Sequence, residues 1–246
     1  MKKYVMILTV LFFVSNLLSS KTLVPFNDIS FEFPDAKTAK EILLQDDLYL
    51  THLSPFDLCA KVQKKEKVSM DKFKEFLGSQ TLSWTDGEKK MIEKIITDAE
   101  SFFSYKKLVM PEKIYLVKTT GEEEGNAAYC RNMDTVVFPE SYLEYDEATF
   151  KEIFVHELFH IFSRNNPDIR EKLYNSIGFS KTGELVLPPD LADLAITNPD
   201  AVLYDYCFDT KYGGKPVRLI PVLLAKIPFD PVKSTNFFDY LTVRFL

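Results

Sequence analysis

The chain has 246 residues, of which 46% are hydrophobic, 14% aromatic and 27% charged. This is the composition of a globular protein with a sizeable core, and it excludes a low-complexity or intrinsically disordered chain. The formal net charge of −6 at pH 7 argues against general nucleic-acid binding, and the lysine-rich stretch from Lys61 to Lys67 is interpreted as a solvated helix end.

The first twenty residues, MKKYVMILTVLFFVSNLLSS, have the order of a secretory signal peptide. Two lysines precede an apolar run from Tyr4 to about Leu18, and small polar residues follow it. The run is short for a membrane span. We therefore predict a cleaved signal peptide over residues 1–20 in preference to an uncleaved anchor, and a secreted or periplasmic protein with no stable membrane span. Removing that segment deletes two lysines and no acidic residues, so the formal charge changes from −6 to −8.

The cysteines are Cys59, Cys130 and Cys207. In an exported protein an odd number permits at most one internal disulfide together with a free thiol. Their wide spacing matches no metal-binding pair, so the chain is not expected to be a disulfide scaffold.

Residues 21–105 are predicted to form a mostly helical N-terminal region. Ser54 is a candidate N-cap with a proline at the first helical position, and Ser69 is a candidate start for a short helix. A longer helix fits the stretch TDGEKKMIEKIITDAESFFSY, with Thr85 or Asp86 as its cap and apolar residues at helical spacing.

Residues 106–246 form the second predicted region, which begins with strands. A strand from Glu112 to Thr120 leads into an acidic loop, GEEEGN, and then into two short strands, AAYCR and TVVFP. A long helix capped by Asp146 follows and ends at the NNP stretch. Beyond it the chain is rich in proline, which favours long ordered loops with short helices and strands. The class is α+β: a helical N-terminal part, a small mixed sheet, a long helix and an irregular helical C-terminal part.

The long helix carries the sequence HELFH from His156 to His160. Histidines four residues apart project from one helical face, where both imidazoles can reach one metal ion at about 2 Å. Glu157 lies beside His156 around the helix, so it can face a zinc-bound water without acting as a ligand. Zinc lowers the pKa of such a water towards about 7, and a carboxylate can then take the proton. The pattern is the H-E-x-x-H motif of zinc peptidases. The alternative is two core histidines with Glu157 at the surface.

The third zinc ligand is expected to be a carboxylate downstream of the motif. Ser163 and Asn166 occupy the positions where an extended histidine motif would continue, and His52 lies far upstream beside a predicted helix. Glu184, twenty-four residues after His160, leaves room for a helix and a chain reversal, and the set His₂Glu is known for catalytic zinc. Three aspartates remain candidates: Asp190, Asp193 and Asp200.

From about Glu88 to Asp200 the chain resembles the zincin fold, specifically the gluzincin clan of zinc metallopeptidases and its small, minimal members. The resemblance rests on His156, Glu157 and His160. It implies a zincin-like catalytic region over residues 106–246, a glutamate as third ligand, and an upper edge strand that aligns the substrate antiparallel. The stretch NAAYCR is the matching strand, in which two alanines leave room for a peptide backbone. The stretch around Glu184 is more extended than the helix that carries this ligand in gluzincins.

These observations lead to a functional hypothesis and to alternatives. The leading hypothesis is an exported Zn²⁺-dependent metallopeptidase that cleaves a peptide or protein substrate, with Glu157 as general base. Candidate donors to the oxyanion are Tyr204, Tyr206 and Arg218, and none is preferred. The main alternative is an inactive zincin-like binding or envelope protein whose metal site is structural or degenerate. A zinc hydrolase acting on something other than peptides is a third hypothesis.

Overall fold

The computed structural model describes residues 23–104 and 109–246, and the predicted signal peptide over residues 1–20 lies outside them. Within this part of the chain no helix is long and apolar enough to cross a bilayer. The helices are α1 Ala36–Leu43, α2 Leu48–His52, α3 Pro55–Lys61, α4 Met70–Ser79, α5 Asp86–Ser104, α6 Glu147–Asn165, α7 Pro167–Ser176 and α8 Pro189–Ala192.

The strands form four small sheets in the described residues. They are β1 Leu23–Pro25, β2 Ser30–Glu32, β3 Thr81–Leu82, β4 Val109–Pro111, β5 Lys113–Thr119, β6 Tyr129–Arg131, β7 Thr135–Pro139, β8 Phe179–Lys181, β9 Tyr206–Tyr212, β10 Lys215–Leu219, β11 Pro221–Ala225 and β12 Leu241–Phe245.

The central sheet has the strand order β2-β5-β7-β6, and β3 pairs with β5. Strands β2, β5 and β7 are parallel, whereas β6 runs antiparallel to β7 with Cys130 opposite Val136. The small mixed sheet predicted from the sequence is therefore confirmed, and so is the α+β class. Strands β2 and β3, which come from the predicted N-terminal region, belong to this sheet.

Helix α6 lies against this sheet through its aromatic and aliphatic face. Asp146 caps its first turn, because its side chain accepts a hydrogen bond from the backbone N–H of Thr149 at 3.0 Å. Phe150 and Phe154 are buried at helical spacing, and the ring of Phe150 lies 5.2 Å from that of Phe138 in β7. This packing fixes which way the helix faces. It leaves the ring of His156 exposed and that of His160 half-buried.

The predicted caps of the N-terminal helices are confirmed. Ser54 and Asp57 form a capping box at the start of α3, and Ser69 caps α4. Thr85 and Glu88 exchange the same pair of hydrogen bonds at the start of α5. These local signals were readable because the capping groups and their partners are three residues apart.

The C-terminal part contains the short strands expected there, but its predicted helical character is wrong. Beyond α7 the structure has five strands, and α8 is a single turn of four residues. Strands β9 and β10 form a hairpin whose turn contains Gly213 and Gly214, both at positive φ, of 57° and 79°. A Gly-Gly pair between two strands favours a two-residue hairpin turn, and the prolines on either side of this region favoured loops instead. Pro216 is compatible with β10 because that strand lies at the edge of its sheet.

One lysine of the basic run predicted at a solvated helix end is buried. Residues 64–67 are exposed, but the side chain of Lys61 is buried, and its ammonium group lies 2.6 Å from the carboxylate of Glu124, which is buried as well. The prediction is therefore wrong for Lys61. Each charge is buried because the other neutralises it, and this pairing across 63 residues is invisible to local pattern analysis.

All three cysteines are described, and all three are free thiols. The single disulfide that the sequence permits does not form. Cys130 and Cys207 are buried, whereas Cys59 is half-exposed.

Candidate metal centre

The two histidines of the motif face each other across one turn of α6. Their Nε2 atoms lie 3.0 Å apart, and their rings meet nearly edge to face at 80°. Nitrogen ligands that bind a tetrahedral zinc ion at about 2.0–2.1 Å are separated from each other by about 3.3–3.4 Å. The observed separation is therefore within a few tenths of an ångström of what two zinc ligands require.

The electrostatic surroundings also suit a ligand role for His160. Burial lowers the pKa of this imidazole, and the charges of His156 and Arg164 lower it further, whereas the charge of Asp200 opposes them. A lowered pKa keeps the ring neutral at physiological pH, which is the form that binds metal. The same short separation is also compatible with a hydrogen bond between the two rings.

The carboxyl group of Glu157 points into the protein. Its Oε2 atom lies 3.3 Å from Sγ of Cys130, whose thiol also contacts the backbone carbonyl of Glu157 at 3.2 Å. Burial raises the pKa of Glu157 to about 8 and the charge of Asp200 adds to this, while the Cys130 thiol and Arg164 oppose it. Without a bound cation, Glu157 is therefore mostly protonated at neutral pH.

Asp200 is held against the sheet by two donors. Its Oδ1 atom accepts from the backbone N–H of Cys130 at 2.9 Å and from Nη2 of Arg164 at 3.2 Å. Arg164 also donates to the carbonyl oxygens of Cys130 and Pro199. Potential ligand atoms of Cys130, Glu157 and Asp200 all lie within 4.8 Å of one another. The Cys130 thiol, however, donates to the Glu157 carboxyl group, and Asp200 accepts from two donors. The polar side chains of this cluster therefore have hydrogen-bond partners without a metal ion.

The outward edge of β6 is covered by these same side chains. The backbone N–H of Cys130 donates to Asp200, and its carbonyl oxygen accepts from Arg164. The ion pair therefore occupies backbone groups that a neighbouring strand would use. One residue before the strand, the N–H of Ala128 donates to the hydroxyl of Tyr142 at 3.2 Å. The strand is at the edge of the sheet, as the resemblance implies, but a substrate backbone would have to displace these bonds to pair with it.

Glu184 does not join the histidine pair. Its Oε1 atom lies 3.5 Å from Nε2 of His52, at the end of α2, and both side chains are partly exposed. Within the described residues, the group of three potential ligands holds Cys130, Glu157 and Asp200, and neither Glu184 nor Asp200 forms such a group with His156 and His160. The chain reverses after α7, as the choice of Glu184 requires, but the reversal places Glu184 beside the end of α2 and not beside the histidine pair.

Two of the three candidate oxyanion donors are engaged with other groups. Tyr204 donates to the carbonyl of Leu223 at 3.4 Å, and burial raises the pKa of Tyr204 to about 12. The buried hydroxyl of Tyr206 has no hydrogen-bond partner among the described residues. Arg218 forms an exposed ion pair with Asp209 at 2.9 Å.

Sequence reasoning missed Arg164 and Cys130. Arg164 follows His160 by four residues, so continuing the helical spacing of the motif by one more turn would have put it on the same face. Cys130 carries no comparable signal, because its contact with Glu157 depends on how α6 crosses β6.

Comparisons with protein-family models, with curated proteins and with solved structures found no match to this chain.

Proposed function

We propose that the protein is an exported zinc-dependent metallopeptidase whose metal is held by His156 and His160. The observation that carries the proposal is the 3.0 Å separation of their Nε2 atoms on one face of α6, with Glu157 directly after His156 along the helix. Two imidazoles preset on a rigid helix lose little entropy when they bind a metal ion.

The arrangement of elements around α6 supports the zincin-like part of the proposal. Along the chain, helix α5 is followed by the strands of the central sheet, with β6 at its edge, and then by α6, so a helix, a sheet and the helix of the motif follow one another. Helices α5 and α6 share one core with the sheet, through residues such as Ile92, Ile95 and Phe154.

Zinc, when bound there, would polarise a carbonyl oxygen, acidify a water and favour the ionised form of a neighbouring carboxyl group. The chain supplies the remaining roles. His156 and His160 each offer a neutral Nε2 lone pair, and Glu157 accepts and returns the proton. Cys130 positions Glu157, because its thiol engages one carboxyl oxygen and leaves the other free.

For the third ligand we propose Asp200 in place of Glu184. Asp200 is the carboxylate whose charge acts on both His160 and Glu157, whereas Glu184 lies beside His52. Only Oδ1 of Asp200 accepts a hydrogen bond from its two donors, so its second oxygen can turn to a metal ion.

One observation favours the alternative, a zinc-binding protein without peptidase activity. The hydrogen bonds that cover β6 occupy the backbone groups on which a peptide substrate would align. In that case the same histidines would hold a metal ion, but no substrate would reach it.

Two measurements test the proposal and separate it from the alternative. Elemental analysis of the purified protein should find about one zinc ion per chain, which His160→Ala should abolish. His52→Ala is the matched control, because it removes the one histidine of the chain that lies outside the motif, and this variant should keep its zinc. Cleavage of a quenched fluorescent peptide library should be lost in Glu157→Gln. Zinc that persists in His160→Ala would contradict the site, and zinc without any cleavage would favour the binding protein.

A further inference from the structure

Strand β12 pairs with β11 on one side and leaves its other side open. At the end of this antiparallel ladder, Ile220 and Leu246 exchange both of their backbone hydrogen bonds. Every second residue of an antiparallel strand bonds its neighbour in this way, so Arg244 and Thr242 face β11 as well. The N–H and C=O groups of the residues between them therefore point away from β11.

These outward backbone groups belong to Leu241, Val243 and Phe245. Among residues 23–104 and 109–246, the hydrogen bond that engages one of them runs from the N–H of Leu241 to the carbonyl oxygen of Phe238. The side chains of Val243 and Phe245 are 46% and 55% exposed. The outer side of β12 therefore offers the N–H groups of Val243 and Phe245, and the carbonyl oxygens of all three residues, to a further strand.

Other strand edges of the described chain carry features that discourage pairing with another strand. The edge of β6 is covered by Arg164 and Asp200. Strand β10 contains Pro216 directly after Lys215, and β8 has three residues. Strand β12 has neither a proline nor a lysine, and its sequence Leu-Thr-Val-Arg-Phe alternates apolar and polar residues.

The outer side of β12 is complementary to itself. When a second copy runs antiparallel with Val243 opposite Val243, these two residues can exchange two hydrogen bonds. The N–H of each Phe245 then meets the carbonyl oxygen of Leu241 in the other copy. All four outward N–H groups that are free in the two strands thereby find acceptors. On one face of the joined sheet the opposing side chains are all apolar, since Leu241 lies against Phe245 and Val243 against Val243.

The charge of Arg244 selects this register. With Val243 on the axis, Arg244 lies opposite Thr242 of the second copy. A shift of two residues, which keeps Val243 and Phe245 hydrogen-bonded to each other, would instead place Arg244 directly opposite Arg244. Like charges in that position are destabilising. The shifted register would also leave Leu241 without a partner.

We propose that the chain forms a two-fold symmetric dimer in which β12 pairs antiparallel with β12 of a second copy and Val243 lies on the axis. Each copy uses the same surface, as a two-fold interface requires, and the two small sheets become one continuous sheet. The proposal does not depend on zinc or on peptidase activity.

The length of the strand sets the strength of the dimer. A five-residue strand extends about 17 Å, so the pairing buries less than the roughly 1,200–2,000 Å² of a stable standard interface. The dimer should therefore be transient and should form at micromolar to millimolar protein concentration.

Sedimentation velocity of the purified protein from about 10 μM to 1 mM tests the proposal, and the wild type should shift from monomer to dimer across this range. Val243→Lys and Val243→Glu should each weaken dimerisation at least about tenfold, because two like charges then meet on the axis. An equimolar mixture of these two variants should dimerise at least as well as the wild type, because Lys then faces Glu.

Val243→Pro isolates the backbone contribution. The N–H of Val243 does not bond β11, so proline removes two hydrogen bonds between the copies and leaves the β11–β12 ladder in place. Dimerisation should weaken about tenfold. Val243→Ile is the matched control, because it keeps the N–H and an apolar β-branched side chain, and it should dimerise as the wild type does. Thermal melting verifies that each variant is folded, and the Lys and Glu variants keep the test informative if Val243→Pro is not.

Three outcomes would overturn the proposal. The first is a wild type that stays monomeric up to about 1 mM. The second is a dimer that Val243→Lys and Val243→Glu leave as strong as in the wild type, since the interface would then lie elsewhere. The third is a mixture of these variants that dimerises no better than either alone, since residue 243 would then not face its own counterpart.

Discussion

The ammonium group of Lys61 lies 2.6 Å from a carboxylate oxygen of Glu124, and the two side chains are only 2% and 5% exposed. The hydroxyl of Tyr49 donates to the other carboxylate oxygen. The pair joins the end of α3 to the short 3-10 turn Glu122–Glu124, which follows β5. It therefore ties the N-terminal helices to the central sheet.

Breaking this pair should strongly destabilise the fold. Lys61→Met leaves the carboxylate of Glu124 buried without its counter-ion, which typically costs about 3–5 kcal/mol in the free energy of unfolding. Urea titration followed by circular dichroism measures the change. Lys65→Met is the control, because its ion pair with Asp230 is largely exposed at the lysine, and it should stay near wild type.

A double variant separates an unpaired charge from lost packing. Lys61→Met combined with Glu124→Leu removes both charges and should recover much of the stability that Lys61→Met loses. If the double variant is as unstable as the sum of the two single variants, the pair is not coupled and this interpretation of the buried charges is wrong.

Asp57 should make stability depend on pH. Burial raises its pKa from 3.8 to about 6, although the charge of Lys61 and hydrogen bonds from Ser54 and Thr197 oppose the shift. The folded state then holds this proton more tightly than the unfolded state does. Protonated Asp57 favours folding at about pH 4, and that contribution is lost as pH rises through about 6.

The matched variant is Asp57→Asn, which cannot ionise. The wild-type free energy of unfolding minus that of the variant should fall by up to about 3 kcal/mol between pH 3.5 and 7, since one pKa unit corresponds to about 1.36 kcal/mol. Groups that titrate equally in both proteins cancel in this difference. Parallel pH profiles for the two proteins would show that Asp57 has an ordinary pKa.

What the sequence could predict was mostly local. The N-caps Ser54, Ser69 and Asp146 act on groups three residues away, and β7 has the bounds that its β-branched run indicates. The histidine pair was also predictable, because a spacing of four residues on a helix fixes where both side chains point.

What it could not predict depends on contacts between distant segments. The prediction of Glu184 rests on the length of chain after His160, and nothing in that length indicates that Glu184 lies beside His52. The contact of Cys130 with Glu157 joins residues 27 apart and requires the crossing of α6 over β6. In both cases the contact between the two side chains results from the packing of distant segments, which local sequence propensity does not encode.

The cysteines should differ in reactivity with a thiol reagent such as a maleimide at pH 8. Cys59 is half-exposed and should react first. Burial raises the pKa of the Cys130 thiol well above its usual value, as does the charge of Glu157, so the reactive thiolate is scarce and shielded. Mass spectrometry should find one label on the native protein and three after unfolding in guanidinium.

Cys59→Ser should remove the fast label and leave the other two cysteines unlabelled until the protein unfolds. Rapid labelling of Cys130 in the native protein would contradict the buried thiol–carboxyl contact and would leave Glu157 without its positioning partner.

The third zinc ligand can be decided by comparing two carboxylates. Asp200→Asn keeps an acceptor for the N–H of Cys130 but removes the charged oxygen, and it should weaken zinc binding at least about tenfold in competition with a chelating dye. Glu184→Gln should bind zinc as wild type does, because Glu184 faces His52.

Arg164→Gln is the control for structural damage, since it breaks the ion pair with Asp200 without removing a candidate ligand. If Arg164→Gln weakens zinc binding as much as Asp200→Asn does, Asp200 acts through the fold and not as a ligand. If Glu184→Gln alone loses zinc, the segment that carries Glu184 must move to the histidines when the metal binds.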